Sequence, residues 1–169
     1  FLKKNTDYQS EAELEKDFID RLVSQGYEYL TIKSEQDLID NLRTQLEKLN
    51  DYTFFDKEWK DFYSSVISNG NDGIKEKTRK IQEDYLQNLT LDNGYVKNIK
   101  LIDKINIHNN HLQVINQYQE DGGKYDTRYD VTILVNGLPL VHFSGIVNDM
   151  LKSRGVGIIF CVCTIGNYK

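Results

Sequence analysis

Tyr129-Asp130-Val131-Thr132-Ile133-Leu134-Val135-Asn136-Gly137-Leu138-Pro139-Leu140-Val141-His142-Phe143 sets two apolar, β-branched runs on either side of an Asn-Gly pair. Asn and Gly accept the positive φ that both central positions of a type I′ turn need, so the stretch predicts a two-residue hairpin between strands 129–135 and 138–143. Toward the amino terminus, the same period of two and the same Val, Ile, Thr and Tyr enrichment reach back to Asn93-Gly94, predicting strands over 99–105 and 111–118. Glu120-Asp121-Gly122-Gly123-Lys124 reads as a wider polar loop, and 157–164 as a last strand.

Before Asn93 the period is helical. Ser10-Glu11-Ala12-Glu13 fits a capping box, and Leu14, Phe18, Ile19 and Leu22 share a face until Gly26. A short extended stretch, 27–32, precedes a second helix over 34–49 with Leu38, Leu42, Leu46 and Leu49 on one stripe. Thr53 or Asp56 caps a third, in which Trp59, Phe62 and Val66 align before Asn69-Gly70-Asn71-Asp72-Gly73 breaks it. A fourth is expected over 74–89. Helices followed by strands predict an α+β domain, a mixed or antiparallel sheet covered by amino-terminal helices, with a helical part at 8–90 and a sheet-forming part at 95–165. No repeat or linker divides the 169 residues, so a single domain spanning 1–169 is the economical reading.

Lys plus Arg number 21 against 26 Asp plus Glu, a net charge of −5. That balance argues against autonomous, sequence-independent nucleic-acid binding, which depends on neutralising phosphates. It leaves room for an enzyme that meets nucleic acid within a larger complex. Without a signal-peptide pattern or an apolar run of membrane-spanning length, a cytoplasmic protein with no membrane partner is expected. The opening Phe1-Leu2-Lys3-Lys4 reads as a trimmed start or as one missing leader residues. Cys161 and Cys163, two apart on a strand, put their thiols about 6.5 to 7 Å apart on one face, which suits buried, reduced cysteines rather than a disulfide.

Asp130 stands at the entry to an apolar strand, where a buried unpaired carboxylate is costly. It is therefore structural and paired, solvated at the strand end, or bound to a cation. Metal-assisted hydrolysis would add a second carboxylate and a lysine just after the hairpin. The acid and base there are Asp149 and Lys152, three apart rather than the two that would align them on a strand face, so a polar loop without catalytic role stays open. His108-Asn109-Asn110-His111 has zinc-ligand spacing only if helical, and Asn-Asn favours a turn. His142 reads as an edge residue. Lys75-Glu76-Lys77-Thr78-Arg79-Lys80 is the densest basic run, a solvated helix face or a contact for a phosphate backbone. No Gly-rich phosphate loop and no Ser nucleophile elbow is present.

Leu112-Gln113-Val114-Ile115-Asn116-Gln117 and the run from Arg128 to Val141 closely resemble the amino-terminal nuclease domain of the R (restriction) subunit of type I restriction-modification enzymes. Ser10-Glu11-Ala12-Glu13-Leu14-Glu15, Gln25-Gly26-Tyr27, Asn41-Leu42-Arg43 and Lys77-Thr78 extend the resemblance over 8–142. It implies a PD-(D/E)xK nuclease fold, a type I site-specific deoxyribonuclease activity with Mg²⁺, and DNA and the methylation and specificity subunits as partners. ATP would enter only through motor domains that this chain lacks. By resemblance Asp130 is a metal ligand. The family's Glu-x-Lys falls in ungapped register on Ser144 and Ile146, with neither carboxylate nor ammonium. A gapped register aligns Met150-Leu151-Lys152-Ser153-Arg154-Gly155-Val156, restoring the lysine as Lys152, with Met150 in place of Glu and Asp149 as the substitute second metal ligand. Residues 143–169 thus depart from the pattern, as a truncated or rearranged end would. The expectation is a Mg²⁺-dependent DNA-cleaving domain impaired in this form. The alternative is a catalytically silent docking or structural remnant of the subunit.

Overall fold

The computed structural model describes residues 11–116 and 131–143 of the chain. The hydrophobic stripe Leu14, Ile19 and Leu22 is buried on helix α1, Glu11–Ser24. Gly26 ends the turn at φ +99°, where the Tyr27 N–H reaches back to the Leu22 carbonyl at 3.1 Å. Strand β1, Glu28–Leu30, leads to α2, Glu35–Asn50. Ser34 caps α2 reciprocally: its hydroxyl accepts from the Asp37 N–H and the Asp37 carboxylate accepts from the Ser34 N–H. Leu42 and Leu46 of α2 are completely buried, each contributing about 1.5 to 3 kcal/mol.

Helix α3, Asp56–Phe62, continues into one π-helical turn, Tyr63–Ile67. Neither Thr53 nor Asp56 caps it; the cap residue is Phe55, whose N–H donates to the Glu58 carboxylate at 3.1 Å. Trp59, Phe62 and Val66 join Phe54, Leu42 and Leu46 in the larger core, as their shared face predicts. Helix α4 is shorter than expected, Ile74–Gln82, because Leu86–Thr90 is strand β2. It pairs antiparallel with β3, Val96–Lys100, across the turn at Gly94, φ +82°. The expected strand at 99–105 therefore lies earlier, and Leu101 to Ile105 turn away from the ladder. Leu86 and Leu89, three apart, are spaced as on a helix but fall on opposite faces of a strand; Leu89 is buried with Ile99 in the larger core while Leu86 is exposed, as the hairpin requires.

The main sheet is mixed, in the order β1-β4-β5-β6, with β4 Leu112–Asn116, β5 Val131–Val135 and β6 Leu138–Phe143. β1 runs parallel to β4 and the other pairs are antiparallel. Asn136 and Gly137 make the predicted hairpin turn, with φ +52° and +79°. Alternation along β4 sorts the two faces: Val114 packs with Ile19 and Leu22 of α1, whereas Gln113 bonds Asn41 of α2. Helices thus cover both faces, an α+β arrangement with four α-helices among the described residues. No helix among them is long and apolar enough to cross a membrane.

Candidate functional site

The strand registers gather one end of the sheet. Asn116 at the end of β4 pairs with Val131 at the start of β5, and Val131 pairs with Phe143 at the end of β6. The chain therefore enters this end directly from Asp130 and leaves it directly toward Ser144. Helix α1 covers the same end, with Phe18 meeting Phe143 edge-on at 5.1 Å and Ile19 and Leu22 packing on Val114 and Val131.

One helical turn before Ile19, on that same face, α1 delivers Glu15. Its side chain is buried; Oε1 accepts from Asn116 Nδ2 at 2.9 Å, while Oε2 is buried with no hydrogen-bond partner among the described residues. Tyr29 of β1 donates to the other face of the Asn116 amide, Oη to Oδ1 at 2.7 Å, fixing its orientation. A buried carboxylate oxygen without a partner is costly and rare, so among the described residues this sheet end carries one unsatisfied hard donor. The acid was visible in the sequence as Leu14-Glu15, on the face that Ile19 and Leu22 bury, but only tertiary packing shows what it meets.

A second polar network lines the α2 face. Gln113, fully buried, donates to Glu28 Oε2 at 2.9 Å and exchanges amide bonds with Asn41. Glu28 also bonds His111 Nε2 at 2.6 Å. The Gln113 amide, then the His111 ring, hold the Glu28 carboxyl below its usual range. His111 is thus engaged with a carboxylate, and among the described residues no group of three His, Cys, Asp or Glu side chains could hold a metal. His142 is half-buried and bonds Thr132 Oγ1 at 2.9 Å.

The basic run of α4 is not a uniformly solvated face. Lys77 is buried, which lowers its pKa, and Lys80 pairs with Asp72 and donates to the Val66 carbonyl. The predicted site residues Asp130, Asp149 and Lys152, and with them Ser144, Ile146, Met150, Cys161, Cys163 and the expected strand at 157–164, lie outside the described residues.

Residues 8–143 match the family model for the type I restriction enzyme R protein N terminus (HSDR_N). The chain is 46% identical over 152 residues to the type I restriction enzyme EcoprrI endonuclease subunit of Escherichia coli, covering 89% of this chain and 46% of that protein. It is 38% identical over 156 residues to the SsaAORF53P endonuclease subunit of Staphylococcus saprophyticus, and 36% to the SauMSSORF170P endonuclease subunit of Staphylococcus aureus. Each of those matches covers 89% of this chain and 16% of the relative. The chain accordingly spans less than half the length of these relatives. The match across both the helical part and the hairpin that closes the sheet shows that the chain belongs to the type I restriction enzyme R protein N-terminal family.

Proposed function

We propose that this chain is the DNA-cleaving region of a type I restriction enzyme R subunit, a PD-(D/E)xK nuclease hydrolysing phosphodiesters with Mg²⁺. The observation that carries the reading is the orphan carboxylate oxygen of Glu15 at the sheet end that the chain enters from Asp130. Asp130, Asp149 and Glu15 are hard oxygen donors that suit Mg²⁺. Asp130 would hold the metal, with Asp149 as the second ligand and Glu15 adding its buried oxygen. When bound, Mg²⁺ supplies positive charge to the scissile phosphate and acidifies a water. The ammonium of Lys152 orients or activates the attacking water. The Asn116 amide, itself held by Tyr29, fixes the Glu15 carboxylate so that little reorganisation is needed when a cation arrives. DNA, and the methylation and specificity subunits, are its partners, and ATP acts only through the motor that the family's subunits carry outside this region.

The second reading, a silent docking or structural module, is favoured by Ser144 and Ile146 at the ungapped Glu-x-Lys positions, by Met150 at the gapped Glu position, and by the net charge of −5. Incubation of the chain with supercoiled plasmid and Mg²⁺ separates the two. Nicking that disappears in Asp130→Ala is expected, and its absence in the unaltered chain selects the silent module. A Mn²⁺ titration adds a binding readout: equal affinity in the unaltered chain and Asp130→Ala, or none in either, removes the metal site.

A further inference from the structure

Strand β2 presents a row of backbone groups that nothing among the described residues uses. The phase of the β2–β3 ladder is fixed at both ends: the Leu101 N–H donates to the Tyr85 carbonyl and the Leu91 N–H to the Tyr95 carbonyl, each at 2.8 Å. From the side, the Asn50 amide takes the Lys100 N–H at 2.7 Å and the Lys100 carbonyl at 2.9 Å. Antiparallel residue pairs alternate between exchanging backbone bonds and facing away from each other. With Leu86 opposite Lys100, residues 85, 87, 89 and 91 therefore face β3, and the N–H and C=O groups of Leu86, Asn88 and Thr90 point outward. All three residues are exposed, and none of these outward groups has a partner among the described residues.

The two edges of this hairpin differ in sequence. On β3 the outward row is plugged at Lys100 by Asn50, and the strand carries Lys97 and Lys100, charges of the kind that blunt an edge against pairing. β2, Leu86-Gln87-Asn88-Leu89-Thr90, has neither charge nor proline. Its acids stand just before it: Glu83 and Asp84 are exposed and in no ion pair among the described residues. The nearby cations are engaged, Lys100 with Asp103 and Lys104 over the Tyr85 ring, and Asp92 past the other end is paired with Lys57. The β2 edge is thus uncharged along its length and negative at one end.

We propose that the β2 edge takes an extended segment of a partner protein as an added antiparallel strand, uncharged over the five residues of β2 and carrying Lys or Arg at its carboxy-terminal end. Antiparallel pairing is the more stable direction and brings that end beside Glu83 and Asp84. Main-chain bonds at Leu86, Asn88 and Thr90 supply the affinity, and the two acids set the direction. A second copy of this chain fits less well: paired symmetrically about Asn88, it sets its Asp92 against Asp84, like charges directly opposite. The proposal rests on the ladder geometry and not on the cleavage reading, and its readout involves no DNA.

The test titrates the 169-residue chain into a dye-labelled, end-blocked peptide of alternating threonine and valine that ends in two lysines, followed by fluorescence anisotropy. A matching peptide ends in two glutamates. The lysine form is expected to bind at least about tenfold more tightly than the glutamate form and to slow amide exchange at Asn88 and Thr90. Asn88→Pro removes an outward N–H while sparing the bonds to β3, the placement in which a strand tolerates proline. It should weaken binding by at least about tenfold, because a peptide carbonyl is left without its donor. Reversing both acids, Glu83→Lys with Asp84→Lys, keeps the backbone row and should invert the peptide preference, so the proposal remains open to refutation even if the proline variant fails to fold. No binding, equal affinity for the two peptides, or binding unchanged in either folded variant overturns it. Self-association of the chain in sedimentation that Asn88→Pro abolishes also overturns it, assigning the edge to a second copy.

Discussion

Replacing Asn136 by glycine should destabilise the fold by about 3 kcal/mol, within a span of about 2 to 6, through lost hydrogen bonds. The side chain is 1% exposed and serves three partners: it accepts from the His111 N–H at 2.8 Å and donates to the Leu101 carbonyl at 3.1 Å and to Asn110 Oδ1 at 2.8 Å. The Leu101 bond is buried, so its loss costs about 1 to 3 kcal/mol, while the two partners nearer the surface cost about 0.5 to 1.5 kcal/mol each. Glycine keeps the positive φ of +52° without strain. Its extra freedom in the unfolded chain adds up to about 1 kcal/mol. Asn136→Asp also tolerates the backbone, yet it should be worse than glycine, because it aims a second acceptor at two acceptors. Urea unfolding followed by the fluorescence of Trp59, the single tryptophan and a buried one, reads both. With a slope of about 2 kcal/mol per molar, glycine should lower the midpoint by about 1.5 M. If Asn136 serves only the turn, both variants will match the unaltered chain. A glycine shift below about 0.3 M, or aspartate as stable as asparagine, refutes the argument.

Glu15→Gln keeps the acceptor for Asn116 and replaces a buried carboxyl oxygen that lacks a partner among the described residues with an amide, so melting should rise by about 2 to 4 °C while Mg²⁺-dependent nicking is lost; a stability loss with nicking intact contradicts the assignment. Gly137→Ala puts a Cβ 2.6 Å from Leu42 Cα at φ +79° and should cost about 3 kcal/mol or more in a urea melt from strain and overpacking together. Asp103 has its carboxyl lowered from 3.8 to about 2, chiefly by the Asn106 N–H and then by the Asn109 side chain. A depressed carboxylate stabilises above its unfolded pKa and loses that contribution as pH falls through its folded one. Stability should therefore decline between about pH 4 and about pH 2 in the unaltered chain, and Asp103→Asn should flatten that slope in urea melts across the same range.

Local chemistry made α1, α2 and the β5–β6 hairpin legible from the residues alone. Ser34 with Asp37, Gly26 past the last apolar position and Asn136-Gly137 each state their conformation within a few neighbours. The same locality fails at 86–90, where Leu86 and Leu89 are spaced as on a helix and only the packing of Leu89 with Ile99 and Leu42 decides for the strand. The family could be read from the runs around Gln113 and Asp130, because a long ordered string of residue types is itself sequence information. What tertiary structure alone decided is the encounter of distant polar groups: Glu15 with Asn116, 101 residues apart; Gln113 with Asn41, 72 apart; and Asn136 with Leu101. No periodicity encodes these contacts, since a side chain's partner across a sheet depends on strand order and register. The parallel pairing of β1 with β4 is likewise set by where α1 and α2 pack on opposite faces. An acid on a buried helix face reads as an anomaly in one dimension, and as a donor aimed at one end of a sheet in three.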